Sequence, residues 1–342
     1  MSKPTGWREM PWGDLPRPAA GAPGSKQNPA ISGVLVVDKP SGVTSHDVVG
    51  AVRRLAGTRK VGHAGTLDPM ATGVLTIGIG AATRLLTYLT GEDKTYRAKI
   101  RLGAATSTED ADGEILVDTL GLGSEPPSLD QIREAMQGLT GEIMQRPSAV
   151  SAIKVDGKRS YELAREGKAV ELEARPIVVS RFELLGEPKV KSVLLEGVQT
   201  QVLDLSVEVD CSAGTYIRAL ARDLGEALGV GAHLTMLRRT RVGGFKAHEA
   251  HQMADLAQAV TDSKPLPITP LARAVAAVMP TAQVSDEQAK LLRNGQFIEL
   301  KPAPQRYPVA LIRHWKRGDD LVAIAKKRGK LTAPEVVFPI DK

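Results

Sequence analysis

The chain has one cysteine, Cys211, among 342 residues, so it can form no internal disulfide and no thiolate metal cluster. A reducing compartment, the cytoplasm, is expected. Aromatic residues make up only 4% of the chain, with five tyrosines, four phenylalanines and three tryptophans. Apolar runs are short. None approaches the roughly 18 residues of a membrane helix, and the first thirty residues carry proline and glycine where a signal peptide needs an apolar core. A soluble, unexported protein with no membrane role is expected. Charge is balanced except for a basic excess of +6, which favours a polyanionic partner without identifying one.

A hydrophobic content of 42% over this length supports a full core and more than one folded domain. Residues 1–30, with six prolines and little apolar periodicity, read as a disordered extension. The body falls into residues 31–247, a helical, proline-rich connector over 248–279, and a small β-rich domain over 280–342. Within the body, Gly33 to Val37 reads as a buried strand, and Thr44 or Ser45 caps a helix to Ala56 stopped by Gly57. Gly73 to Ile79 and Lys94 to Leu102 alternate as strands, with a short helix from Ala81 to Leu89 between them. Asp112-Gly113 marks a hairpin turn, and Ser128 with Gln131 forms a capping box. Strands over Ile177 to Leu185 and Val202 to Val209 precede a helix capped by Thr215 and stopped by Gly229. Leu234 and Leu237 suggest a short helix over His233 to Thr240. Ser285 with Gln288 starts a helix that ends at Asn294-Gly295.

The most informative stretch is Gly62 to Gly73, GHAGTLDPMATG, in which Asp68 sits among small residues and precedes Pro69. Gly62, Gly65 and Gly73 give backbone freedom, and Pro69 biases Asp68 towards an extended conformation, so the carboxylate is held on a defined turn. A fixed carboxylate can act as a nucleophile; Asp-Pro also marks ordinary turns. An aspartyl-phosphate loop would need further acids nearby for magnesium, and Thr66 and Met70 stand there instead. A non-enzymatic RNA-binding protein would fit the charge, yet would leave Asp68 without a purpose.

This motif resembles the catalytic motif of the TruB-type tRNA pseudouridine synthases, which isomerise uridine 55 in the T arm of tRNA. Three further stretches match in order: Val37-Asp38-Lys39-Pro40-Ser41-Gly42, Lys94-Thr95-Tyr96-Arg97, and Cys211-Ser212-Ala213-Gly214-Thr215-Tyr216-Ile217-Arg218. The segment from Pro147 to Lys154, with Tyr161 to Arg165 behind it, is similar to another family stretch, preceded in the family by a mobile loop that grips RNA. The resemblance implies an α/β (α+β) fold, a mixed, largely antiparallel sheet flanked by helices and extended by a C-terminal PUA-like β-barrel. It implies tRNA as partner through its T stem-loop, no cofactor, no metal and no obligate protein partner, with a monomer as the default. Asp68 is implied as the nucleophile, Tyr96 as a stacking and proton-transfer group, and Arg218 as the counter-ion of Asp68. His63, Tyr216 and Leu237 are implied to contact the substrate, with Lys39 supporting them. Residues 311–330 hold Arg313, Lys316, Arg317, Lys326, Lys327, Arg328 and Lys330, which suits an RNA-facing accessory domain. Arg238, Arg239 and Arg241 read as a solvated surface or as phosphate contacts.

Overall fold

The computed structural model describes residues 10–28, 32–123, 125–148, 154–155, 158–159, 172–315 and 318–340. The similarity drawn for 161–165, and for most of 147–154, therefore lies outside the described residues. The chain divides into two compact units, one formed by residues 1–92 with 241–342 and the other by residues 93–240.

In the first unit the strand Gly33–Lys39 is buried along its whole length and runs antiparallel to Thr72–Ile79, from Gly33 opposite Ile79 to Lys39 opposite Gly73. Burial on both faces explains its continuous apolar run. Thr72–Ile79 also pairs with a four-residue strand, Val61–Ala64, which the sequence reading did not resolve because its two termini alone are buried. Helix Ser45–Leu55 starts from a full capping box. The Thr44 hydroxyl accepts from the Asp47 amide at 3.1 Å, and the Asp47 carboxylate accepts from the Thr44 amide at 2.8 Å. Its buried stripe of Val48, Val49, Val52 and Leu55 is the one expected from the sequence. The short helix expected over 81–89 is a 3-10 turn, Gly80–Leu85, running into an α-turn, Leu86–Thr90.

Residues 10–28 contain no helix or strand, yet they are not a solvated tail. Leu15 and Ala22 are buried, the Leu15 carbonyl accepts from Arg54 Nε, and Gly24 approaches Gly57 so closely that a Cβ on Gly57 would run into the Gly24 carbonyl. Two apolar side chains and backbone polar groups make this dock, so composition gave no sign of it.

The C-terminal part of this unit is a four-stranded sheet in the order Thr281–Gln283, Val309–Trp315, Gly318–Arg328, Leu331–Val337, its first pair parallel and the others antiparallel. Helix Asp286–Arg293 begins at Ser285 with the expected capping box and ends at Asn294. Among the described residues no pairing closes this sheet into a barrel. The first strand is only three residues long, and the far edge is partly met by Ile298, which exchanges backbone hydrogen bonds with Thr332 at 3.0 and 2.8 Å. The two faces serve different cores. Ala310, Ile312, Leu321, Ile324 and Phe338 pack with Val34, Val74, Leu85 and Leu271. Val309, Leu311, Val322 and Ala323 pack with Ala289 and Leu292 of the helix.

The second unit is built on a sheet in the order Ala232–Val242, Lys94–Leu102, Val198–Cys211, Arg175–Leu184, Gly141–Gln145. Lys94–Leu102 runs antiparallel to Val198–Cys211, from Lys94 opposite Cys211 to Leu102 opposite Leu203. Tyr96, Ala98, Ile100 and Leu102 turn inward, while Arg97 and Lys99 turn out. A further strand, Lys189–Leu195, pairs with the start of Val198–Cys211 and presents exposed Val190 and Leu194. Helices Leu129–Gly138 and Ile217–Ala227 belong to this unit. The mixed, largely antiparallel α+β class is as expected.

Two local readings are corrected. The segment read as a helix over His233 to Thr240 is part of the strand Ala232–Val242. Leu234 and Leu237 have helical spacing, but His233, Thr235, Thr240 and Val242 suit a pleated strand, and pairing with Lys94–Leu102 decides between them. Thr215 does not cap the next helix. Tyr216 is the N-cap residue, and its own side chain makes no capping bond. Its backbone is held from a distance, since the Gln145 amide donates to the Tyr216 carbonyl at 3.1 Å and accepts from the Tyr216 amide at 2.8 Å.

Candidate active site

The turn that carries Asp68 joins the strands Val61–Ala64 and Thr72–Ile79, and the peptide groups around it are fastened to the segment 39–45. Ser45 Oγ accepts from the Leu67 amide at 2.9 Å and donates to its carbonyl at 3.2 Å. The Pro69 carbonyl accepts from the Gly42 amide at 2.9 Å and from Lys39 Nζ at 3.1 Å. Ser41 Oγ donates to the Met70 carbonyl at 3.2 Å. The peptide groups of Leu67, Pro69 and Met70 are thus fixed, and Asp68, half-buried, is presented on a rigid turn. Gly65 and Gly73 have φ of +78° and +101°, so they supply the left-handed geometry the turn requires. Gly62 has another role. A Cβ there would lie 2.8 Å from Leu86 Cδ1, so the residue is small for packing.

Lys39 has no exposed surface. Its ammonium donates to the carbonyls of Pro40, Val43 and Pro69 at 2.9, 2.7 and 3.1 Å, which ties the first matching motif to the Asp68 turn. The neighbouring Asp38 is also buried and accepts from Gln252 Nε2 at 3.0 Å. His63 lies in the strand Val61–Ala64 opposite Ile77, half-buried, five residues before Asp68. Lys39, His63 and Asp68 therefore belong to the first unit and are brought into one local framework.

Tyr96, Tyr216, Arg218 and Leu237 belong to the second unit. Tyr96 is 7% exposed and sits opposite Val209 in the sheet. Tyr216, half-buried, opens helix Ile217–Ala227. Leu237 is buried in the strand Ala232–Val242. Arg218 is 4% exposed in the first turn of that helix, where the macrodipole favours an anion and a cation needs local acceptors. Within its own unit, Arg218 Nη1 donates to the Thr108 carbonyl at 3.0 Å and stands 3.5 Å from Asp110 Oδ2. Asp110, 4% exposed, also accepts from the Thr108 hydroxyl at 2.6 Å and the Asp112 amide at 3.1 Å.

The sequence reading missed Ser45, Gln145, Thr108 and Asp110. Ser45 was noticed only as a possible cap, and the others act over long sequence separations. Arg238, Arg239 and Arg241, expected together as a solvated surface or as phosphate contacts, do not share one exposed face: Arg239 is 1% exposed and belongs to the interior, because strand alternation turns it to the opposite face from Arg238. The single cysteine, Cys211, is buried, and burial pushes its thiol up to about 11, so it is a packing residue and no nucleophile. Among the described residues no three His, Cys, Asp or Glu side chains are grouped to hold a metal, and no helix is long and apolar enough to cross a membrane.

Residues 53–217 match the N-terminal domain of the TruB family of pseudouridylate synthases, and residues 218–278 match the C-terminal domain of tRNA pseudouridylate synthase B. A tRNA pseudouridine synthase B from Leifsonia xyli subsp. xyli is 48% identical over 318 residues, covering 91% of this chain and 98% of that protein. This chain belongs to the TruB family. A second TruB relative, the tRNA pseudouridine synthase B of Mycobacterium tuberculosis H37Rv, is 57% identical over 226 residues, covering 66% of this chain and 72% of that one. Among solved structures, a Cbf5-Nop10-Gar1 complex matches with a TM-score of 0.67 and 27% identity, over 99% of this chain and 93% of that one. An archaeal box H/ACA Nop10-Cbf5 complex matches with a TM-score of 0.63 and 28% identity, over 91% and 87%. The TruB assignment thus spans both units.

Proposed function

We propose that this TruB-family chain is a tRNA pseudouridine synthase that isomerises uridine 55 in the T arm, with Asp68 as its nucleophile. One observation carries the reading: inside the motif that resembles the family's catalytic motif, the peptide groups on either side of the half-buried Asp68 are held by Ser45, Lys39, Gly42 and Ser41. A turn this constrained suits a reacting group.

The reaction breaks the bond from ribose C1′ to uracil N1, turns the base and joins C1′ to C5. The C5 proton is lost, and N1 acquires one. Nothing is oxidised or reduced and no phosphoryl group moves, so the chemistry calls for no cofactor. Asp68 can add to C6, add to C1′, or first remove the 2′ proton; each route needs it ionised. A cation supplied by Arg218 favours that form. The target base must leave its stack, at a cost of a few kcal/mol that contacts to the extruded base offset. Tyr96 stacks on the freed uracil and relays the C5 proton, His63 braces the vacated stack, and Tyr216 and Leu237 line the pocket. Lys39 supports the turn without touching RNA. Residues 280–342 serve as a PUA-like RNA-binding domain, with exposed Lys327, Arg328 and Lys330 available to phosphates. We place the enzyme in the cytoplasm, acting on tRNA as a monomer without an obligate protein partner.

The test is tritium release from unmodified tRNA labelled at uridine C5. Wild type should release one equivalent per tRNA, Asp68→Asn none, and replacement of the T-arm uridine should abolish release. A folded, tRNA-binding wild type that releases nothing overturns the proposal in favour of a non-enzymatic RNA-binding protein.

A further inference from the structure

Helix Ile217–Ala227 carries a second arginine, Arg222, one turn beyond Arg218, and the two address successive residues of one turn. Arg218 takes the Thr108 carbonyl and Asp110, as described. Arg222 takes the residue between them, donating from Nη1 to Glu109 Oε1 at 2.6 Å. It is anchored on its other side by Asp223 Oδ1, at 2.9 Å from Nε and 2.7 Å from Nη2, and by the Arg146 carbonyl at 2.8 Å from Nη2. Five N–H donors in a fixed plane suit a guanidinium to this kind of cross-bracing.

Glu109 is an unexpected residue for its place. Its φ is +62°, a left-handed conformation that costs a non-glycine side chain on the order of 1 kcal/mol or more. The conformation aims the Glu109 carbonyl at the Leu234 amide, 3.0 Å away, and pins the turn to the strand Ala232–Val242. Glycine would adopt it without strain, so the side chain must be kept for what it reaches. Burial raises its carboxyl, and Arg222, with smaller help from Ser148 and Arg218, pulls the other way.

We infer that Arg222 and Glu109 form a positioning clamp that holds the Thr108–Glu109–Asp110 turn in register with the helix and so fixes the guanidinium of Arg218. The inference rests on the synthase reading, in which Arg218 must be aimed at the nucleophilic carboxylate. Neither clamp residue touches the substrate. Both act through Arg218, since a turn free to relax moves the Thr108 carbonyl and the Asp110 carboxylate that orient it.

The test compares wild type, Arg222→Gln, Glu109→Gly and the double variant, measuring kcat and KM on labelled tRNA together with Tm. Misplacement of a catalytic group by about 1 Å costs up to about 100-fold, so each single variant should lose about 10- to 100-fold in kcat with KM within about 2-fold of wild type. The double variant should be no slower than Arg222→Gln, because both act through one contact. Glu109→Gly separates positioning from folding: glycine accepts the left-handed backbone, so Tm should be held while kcat falls. Folded variants with wild-type kcat overturn the clamp, as does a KM that rises in proportion to the loss in kcat/KM at constant kcat. A wild type that releases no tritium overturns the synthase reading and the clamp together, whereas an active wild type with unaltered variants overturns the clamp alone.

Discussion

Replacing Lys39 with methionine tests whether the Asp68 turn is held as the hydrogen bonds indicate. Methionine fills most of the same volume but donates nothing, so the carbonyls of Pro40, Val43 and Pro69 lose their shared ammonium. The contact with Val43 is buried, so its loss counts nearly in full, about 1–3 kcal/mol for an unsatisfied buried acceptor. The contacts with Pro40 and Pro69 are only part-buried and water can replace them, so they add less. Against this, methionine is spared the cost of taking a charge out of water. The net expectation is a loss of about 2–4 kcal/mol, which for a chain of this size lowers Tm by about 3–6 °C. Pro69 is the residue after Asp68, so activity should fall further than stability explains. Below the variant's Tm, with the folded fraction complete by circular dichroism, tritium release should still be at least about 10-fold slower than wild type. A Tm within about 1 °C of wild type together with unchanged release would show that the ammonium contacts are incidental and refute the reasoning.

Arg218→Met, which the sequence alone would leave folded, removes a cation from beside a carboxylate that is itself 4% exposed, so it is expected to cost about 3 kcal/mol in stability as well as activity. Denaturant midpoints check the first effect and tritium release the second; Arg218→Lys should recover part of the stability but little turnover, since the fork to Thr108 and Asp110 is lost. Gly57→Ala puts a Cβ against the Gly24 carbonyl at a backbone φ of +61°, and should cost about 1–3 kcal/mol while exposing residues 10–28 to proteolysis. An unchanged Tm and cleavage pattern would show that this segment is not docked in solution. Burial alone would raise the carboxyl of Asp204, but the hydrogen bonds from Arg101 and Lys191 outweigh it and hold it below the usual range. Its contribution is therefore complete above about pH 4 and lost as the pH falls through the lower folded value. Asp204→Asn should flatten the acid limb of a Tm-against-pH curve, and an unaltered limb would remove Asp204 from the acid response.

Legibility from the sequence divides by range. The helix starts at Ser128 and Ser285 are legible because the capping partner lies three residues on, whereas at Thr44 the sequence leaves the cap open between Thr44 and Ser45 and the structure decides for Thr44 with Asp47. Lys94–Leu102 was read to the residue because one of its faces is buried and the other open. The strand Ala232–Val242 was lost because Leu234 and Leu237 fit either period, and only pairing with a strand more than a hundred residues earlier settles the choice. The start of helix Ile217–Ala227 was misassigned for the same reason, its anchor being the Gln145 amide 71 residues away. Val61–Ala64 is too short to show any alternation.

The site follows the same division, and that bears on how the residues around it should be weighed. Asp68, Lys39 and Arg218 stand in recognisable motifs, but the groups that aim them do not. Ser45 looks like a helix cap and serves the Leu67 peptide; Arg222 and Glu109 look like surface charges and brace the turn beside Arg218. An arginine four residues after Arg218 was a visible signal, since that spacing puts both on one helix face. The left-handed backbone of Glu109 was not visible, because nothing in a glutamate announces it. Substitutions at these unremarkable positions should lower kcat while sparing KM, the signature of residues that aim a reacting group, whereas loss of a proposed phosphate contact such as Lys327 or Arg328 should weaken tRNA binding in a salt-dependent way and spare single-turnover chemistry at saturating tRNA. Measuring Arg222→Gln and Lys327→Ala side by side therefore separates the two kinds of basic residue in this chain, and equal effects of both on affinity would mean that Arg222 is an RNA ligand.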